Sequence, residues 1–302
     1  MRKFDNFLAI DWSGAKGRKH RGIALAVAKA GGGAPVLIDH RWSREEVLTV
    51  LREDLPKNTL VGLDLGIGLP HADCGAYFPK NKVSLPDAPA LWALIDDICR
   101  KDEHFGVQSF VDHPDYAPYF RNGTDTGAHF GCDDAAHGRG RFRVTEKAQA
   151  EMGCKPYSNF NLVGAAQVGK SSLTGMRMLH HLRGLLPVWP IDPLPRKGSV
   201  IVEIYTSLAA MEAGRSASRA KMRSHEDLNE ALAALGSAPV SGKGPIDDHS
   251  SDALLSAAWL RKVAGEKRRW QPTAMTPHIA RTEGWTFGAL CRSGAPRYDA
   301  CH

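Results

Sequence analysis

"FLAIDWSGAKGRKHRGIALAVA", residues 7–28, decides the fold. An apolar run at 7–10 closes on Asp11. The chain then breaks at Ser13 and Gly14, crosses the basic stretch "KGRKHR" and enters a second apolar run at 22–28. Short apolar runs bounded by turn residues read as buried strands. Aspartate is a poor strand former, so Asp11 needs a reason for standing there. It is either a turn residue bonded to nearby backbone N–H groups or a carboxylate presented at a strand end for chemistry.

Working outward, the turn "AGGGAP" leads to a third strand at 36–40, and "SREEVLTVLREDL" is an amphipathic helix opened by Ser43 with Glu46 three residues on, a capping box. "TLVGLDLGIGLP" is a buried strand ending around Asp64. Residues 70–160 change character: "VDHPDYAPYF" and "GAHFGCDDAAHGRGRFRV" are rich in Pro, His, Asp and aromatics, and "APALWALIDDICRK" is the one clear helix. Long irregular segments inside a domain are mostly functional or disordered, so this stretch is expected to be an inserted lid over a site. Regular structure resumes with a helix at 172–185. After the Pro-rich link "PVWPIDPLPRKG" come the strand "SVIVEIYTS", a basic segment, the helix "SHEDLNEALAAL", a Gly-rich loop and the helix "DDHSSDALLSAAWLRKVAG". The expected organisation is one α/β domain over 1–265 with the insertion at about 70–160. A covering segment, 266–302, would follow, its Trp270, Trp285 and Phe287 packing back.

With 43% hydrophobic and 24% charged residues the chain has ordinary globular composition. A net charge of +6 and a pI near 9.0 favour an anionic partner. Six cysteines without a CxxC pair argue against a disulfide scaffold or a zinc ribbon and for a reducing compartment. The start "MRKFDNFLAID" lacks the apolar core of a signal peptide, and no apolar run reaches membrane-spanning length, so a cytoplasmic protein without a membrane partner is expected.

Carboxylates sit where elements end. Asp11 closes the first strand, Asp64 the strand after the first helix, Glu203 lies in "IVEIY", and Asp247, Asp248, His249 and Asp252 crowd the start of the last helix. Asp248 and Asp252 are four apart and His249 and Asp252 three apart, so one helix face can present acid and imidazole together. Clustered carboxylates bind magnesium or manganese through oxygen, and such ions activate water and neutralise charge in phosphoryl transfer. The plain alternatives are turn residues and helix caps, and Glu203 can also face solvent.

The order of these elements resembles the ribonuclease H-like superfamily: three antiparallel strands, then helix, strand, helix, strand, helix, with an acid on the first strand, another on the fourth and a His/Asp pair on the last helix. "DDHSSDAL" is similar to the last-helix signature of Holliday-junction resolvases. "FLAIDWSGAKGRKHRGIALAV", "VGLDLGIGLP", "RFRVTEKAQAEMG", "LVGAAQVGKSSLTGMRML" and "VIVEIYTS" resemble a largely uncharacterised branch of prokaryotic proteins predicted to be nucleases of this fold. The resemblance implies a mixed sheet flanked by helices and a metal-dependent nuclease. Asp11, Asp64, His249 and Asp252 would be catalytic, and Asp248 and Glu203 further metal ligands. A magnesium or manganese site, with room for two ions, and a nucleic-acid or phosphorylated-nucleotide substrate follow from it. The second acid is usually a glutamate in resolvases and is Asp64 here.

"GAAQVGKS", 164–171, matches the phosphate-loop pattern GxxxxGK[ST]. Only "FNLV" precedes it, and the strand that would supply the partner acid ends "VIVE". Gly164 and Gly169 are therefore read as turn residues opening a helix, with Lys170 and Lys16 left as phosphate contacts. "IDWSGAKG" and "LDLGIG" also resemble the hairpins of actin-like ATPases, which carry two such domains where one is visible here. This keeps a nucleotide phosphohydrolase or ATPase as the alternative, and a non-catalytic scaffold as a third. Arg139, Arg141 and Arg143 alternate, so a strand there would place all three on one side, either as a phosphate clamp near the acids or as a solvated edge. His129, Cys132 and His137 match no familiar zinc spacing.

Overall fold

The computed structural model describes residues 2–131, 139–164, 167–216 and 221–291. Strands β1 (Asn6–Asp11), β2 (Ala24–Lys29) and β3 (Val36–Leu37) form an antiparallel meander, joined through a short helix α1 (Arg44–Thr49) to β4 (Thr59–Asp64). The capping box expected at Ser43 is present: its hydroxyl accepts from the Glu46 N–H at 3.1 Å and the Glu46 carboxylate accepts from the Ser43 N–H at 2.7 Å. Helices α2 (Ala88–Ile98) and α3 (Gln108–Val111), the hairpin β5 (Arg121–Asn122) and β6 (Asp125–Thr126), and helix α4 (Val144–Glu151) follow. Next come α5 (Val168–His181), β7 (Val188–Trp189), β8 (Val200–Glu203), α6 (Thr206–Glu212), α7 (His225–Ala234), α8 (Asp248–Val263), α9 (Lys267–Trp270) and α10 (Pro277–Thr282).

The main sheet runs β3-β2-β1-β4-β8-β7, antiparallel across the first three strands and parallel from β1 to β7. This is the expected α/β mixed sheet, with one addition. β7 lies inside the Pro-rich link read as irregular, where it pairs in parallel with β8 at the sheet edge; proline is tolerated at such edges. Among the described residues no helix is long and apolar enough to cross a membrane.

Alternating side chains send the sheet into two cores. Leu8, Ile10, Leu25, Val61 and Leu63 pack with α2, α5 and the aromatic residues of 70–160. Phe7, Ala9, Ala24, Ala26, Ala28 and Leu60 face α8 and the chain's C-terminal part. Small residues let α8 lie close. At Gly62 a methyl group would stand 2.8 Å from a Leu260 methyl. Residues 251–260 are buried all round, since α8 is wedged between the sheet and helices α6 and α7.

The expected lid is more deeply rooted than its composition suggests. Tyr77, Phe78, Phe110, Tyr116, Phe120 and Phe160 belong to the same buried cluster as the sheet residues, and α3 and α4 are further helices within the segment. Trp270, Trp285 and Phe287 are buried against the other face, where the chain after α10 runs beside β8 and the Phe287 N–H donates to the Glu203 carbonyl at 2.8 Å.

Candidate active site

The ends of β1, β4 and β8 open into a cleft of about 430 Å³. In a parallel sheet the carboxyl ends of neighbouring strands leave such a crevice. Register places Asp11 directly opposite Asp64, on strands roughly 4.8 Å apart. The first turns of α8 bring His249 and Asp252 to the same cleft. Asp247, one of the crowded acids, is the helix cap: its side chain accepts from the Ser250 N–H at 3.0 Å.

Each of the three clustered carboxylates has one oxygen committed inside the protein. Asp11 Oδ2 meets His249 Nδ1 at 2.5 Å. Asp64 Oδ2 accepts from the Thr206 hydroxyl at 2.7 Å. Asp252 Oδ2 accepts from Lys221 Nζ. Asp252 Oδ1 is buried with no hydrogen-bond partner, and it is the only such orphan lining the cleft among the described residues. The Asp252 side chain is 6% exposed and that of Asp11 12%, so these charges are largely desolvated.

Burial raises all three acids. It pushes Asp64 up to about 7, helped by the neighbouring Asp11 charge and opposed by the Thr206 hydrogen bond. It takes Asp252 to about 6, with Lys221 pulling down and Asp11 pushing up. Asp11 is also raised by burial, against the hydrogen bond from His249. That hydrogen bond raises His249, against its own partial burial. Lys221 is raised as well: burial works against its charge, and Asp252 outweighs it. Among the described residues no three His, Cys, Asp or Glu side chains stand arranged as a ready ion cage.

The remaining candidates are distributed differently. Asp248 is half-exposed, its carboxylate 3.9 Å from Lys221. Glu203 lines the cleft but is saturated: Arg143 grips both of its oxygens at 2.8 and 2.6 Å, the Ile67 N–H donates at 2.9 Å, and the Thr286 hydroxyl donates to it as well. Arg139–Arg143 is not a strand. Arg143 sits at the start of α4, buried between Glu146 and Glu203. Burial opposes its charge, and the two glutamates hold the guanidinium protonated. Arg141 is buried on Asp73, at 2.6 Å, and on backbone carbonyls. Arg139 is exposed. The three guanidiniums therefore do not share one side, because Arg141 and Arg143 are the hubs of separate buried networks.

Gly164 is in the left-handed region as a turn requires, with φ +87°. The helix begins earlier than expected, so Gly169 and Lys170 lie in the first turn of α5, where Gly169 is buried and a methyl group on it would come 2.6 Å from the Asn159 carbonyl. Lys170 and Lys16 line a second hollow of about 410 Å³, which Gly14 also lines while its N–H donates to the Ser171 hydroxyl. Cys132 and His137 lie outside the described residues.

Sequence reasoning missed Lys221, which sits in a basic segment without periodicity, and Thr206, which looked like the end of a strand. It also missed Arg44. In a helix opening "SREEV" that residue reads as exposed, yet its guanidinium is buried on the Ser13, Ala15 and His104 carbonyls, at 2.7, 2.6 and 2.7 Å, and fixes the loop after Asp11. No family model, no curated protein and no solved structure matches the chain.

Proposed function

We propose that this protein is a magnesium- or manganese-dependent phosphodiesterase acting on nucleic acid, built on a ribonuclease H-like sheet. The observation that carries the reading is Asp252 Oδ1, a buried carboxylate oxygen without a partner, on a residue that lines the same cleft as Asp11 and Asp64. An unpaired buried oxygen of this kind is costly unless a cation or a proton completes it. Three carboxylates supply the hard oxygen donors that magnesium and manganese prefer, so Asp11, Asp64 and Asp252 would hold the ion.

Bound there, such an ion lowers the pKa of a water and neutralises charge on a phosphoryl group. The protein's own residues do the rest. Thr206 and His249 hold the Asp64 and Asp11 carboxylates in place. The raised pKa of His249, fixed through Nδ1, leaves its imidazole protonated nearer neutral pH and suited to give a proton to a leaving oxygen. Tyr157, 49% exposed at the cleft, offers a ring on which a base can stack. Glu203 is excluded as a ligand, because Arg143, Ile67 and Thr286 occupy it.

One observation favours a second reading, hydrolysis of a free nucleotide: the cleft volume of about 430 Å³ is on the scale of small-molecule sites. Labelled single-stranded, duplex and branched DNA and RNA, incubated with Mn²⁺ or with EDTA, separate the two. Metal-dependent cleavage is expected from the parent and none from Asp252→Asn. Nucleotide turnover without strand cleavage would install the second reading, and neither activity would leave a scaffold.

A further inference from the structure

We infer that Lys221 takes the place of a second cation, so that the acid cluster accepts one divalent ion and not two. The inference rests on the metal reading above and gives it a stoichiometry. Lys221 Nζ bonds Asp252 Oδ2 and stands 3.9 Å from Asp248. A two-ion site holds its ions roughly 3.5–4 Å apart, which in practice calls for a carboxylate that gives one oxygen to each. One oxygen of Asp252 is taken by an ammonium, so Asp252 cannot be that bridge while Lys221 is in place.

Oxygen count and charge agree. With Asp11 Oδ2 on His249, Asp64 Oδ2 on Thr206 and Asp252 Oδ2 on Lys221, one further oxygen per acid remains. Three protein oxygens and several waters complete the shell of a single magnesium ion. When ionised, Asp11, Asp64 and Asp252 carry three negative charges; one divalent ion and one ammonium balance them. A second divalent ion beside Lys221 would leave the cluster positively charged before any substrate entered. In this arrangement Lys221 supplies to the acid cluster the charge that a second ion would bring.

The test counts ions and does not depend on turnover. Mn²⁺ is titrated into the metal-free protein, without nucleic acid, by calorimetry and by electron paramagnetic resonance. Parent, Lys221→Ala, Lys221→Met and Lys221→Arg are compared. The Lys221 side chain is 51% exposed, so the variants are expected to melt within a few degrees of the parent, which thermal denaturation checks. The parent should bind one Mn²⁺. The alanine and methionine variants should take up a second, weaker ion, with the exchange-broadened spectrum of a coupled pair, and the arginine variant should return to one. Two ions in the parent would overturn the role of Lys221 and leave the metal reading intact. One ion in every variant, even bound more tightly, would overturn it too, since Lys221 would then only compete for the single site. No Mn²⁺ bound by the parent would overturn both.

Discussion

Asp64→Asn should stabilise the metal-free protein, and by clearly more at alkaline than at mildly acidic pH. Asp64 is displaced from 3.8 to about 7, chiefly by burial and then by the Asp11 charge. Its folded pKa lies above its unfolded one. The folded state therefore holds the proton more tightly, and this contribution to stability is fully present below about pH 4 and lost as pH rises through about 7. A displacement of three units at ~1.4 kcal/mol each gives a ceiling of ~4 kcal/mol. Asp11 and Asp252 share the repulsion, and an amide is itself costly to bury, so the expected gain is ~2–3 kcal/mol at pH 8. At pH 5 the folded parent is neutral at this position but its unfolded chain is already ionised, so about a third of that gain, ~1 kcal/mol, should remain; an asparagine oxygen can still accept from Thr206. Urea unfolding in EDTA at pH 5 and pH 8 measures the difference, and subtracting parent from variant cancels groups that titrate elsewhere. The same advantage at both pH values, or none at pH 8, would refute a desolvated, mutually repelling acid pair.

Arg143→Met should cost ~3–5 kcal/mol in urea melts, because Glu146 and Glu203 would be left buried without their shared counter-charge; a loss under 1 kcal/mol would mean that the network is not coupled as drawn. Gly14→Ala should destabilise by ~1–3 kcal/mol: its methyl group would stand 2.4 Å from the Ser171 backbone nitrogen, where no side-chain rotation can relieve it, and a parent-like melting temperature would contradict that close approach. Lys170→Ala should change stability by less than ~0.5 kcal/mol and leave any Mn²⁺-induced shift intact; loss of measurable ATP binding would instead restore the phosphate-loop reading.

The parts that were legible in the sequence are those whose signal is local. The apolar runs of β1, β2 and β4 stop at turn residues, the α1 capping box is spelled out by Ser43 and Glu46, and α8 announces itself by an acidic first turn before a long apolar stretch. These positions also carry the acids, so Asp11, Asp64 and Asp252 could be singled out before any geometry was known. What escaped depends on distant partners. The α4 sequence "VTEKAQAE" looks solvent-exposed, yet Thr145, Glu146 and Gln149 are buried because Arg143, Thr286 and the chain after α10 supply their hydrogen bonds. Glu283 is another such case, buried while accepting the N–H groups of His71, Ala72 and Val144. Burial raises it to about 7. The alternation of Arg139, Arg141 and Arg143 mimicked a strand face, but Asp73 and Glu203 draw the last two arginines into separate interiors. Lys221 reaches Asp252 across 31 residues of chain, and no spacing rule links them.

In the proposed site Asp11 and Asp252, one on a strand and the other on a distant helix, serve the same cation. Thermal and urea melts of the parent, Asp11→Asn, Asp252→Asn and the double variant, each with and without Mn²⁺, test it most directly. A ligand that binds only the folded state stabilises it by ~2.7 kcal/mol at a hundredfold excess over its Kd. The parent should gain stabilisation of that order, either single variant should lose nearly all of it, and the double variant should be little worse than the singles, as residues acting as one unit are. Equal Mn²⁺ stabilisation of the parent and both single variants would contradict a shared site and return Asp11 to a turn residue and Asp252 to an ordinary helix acid.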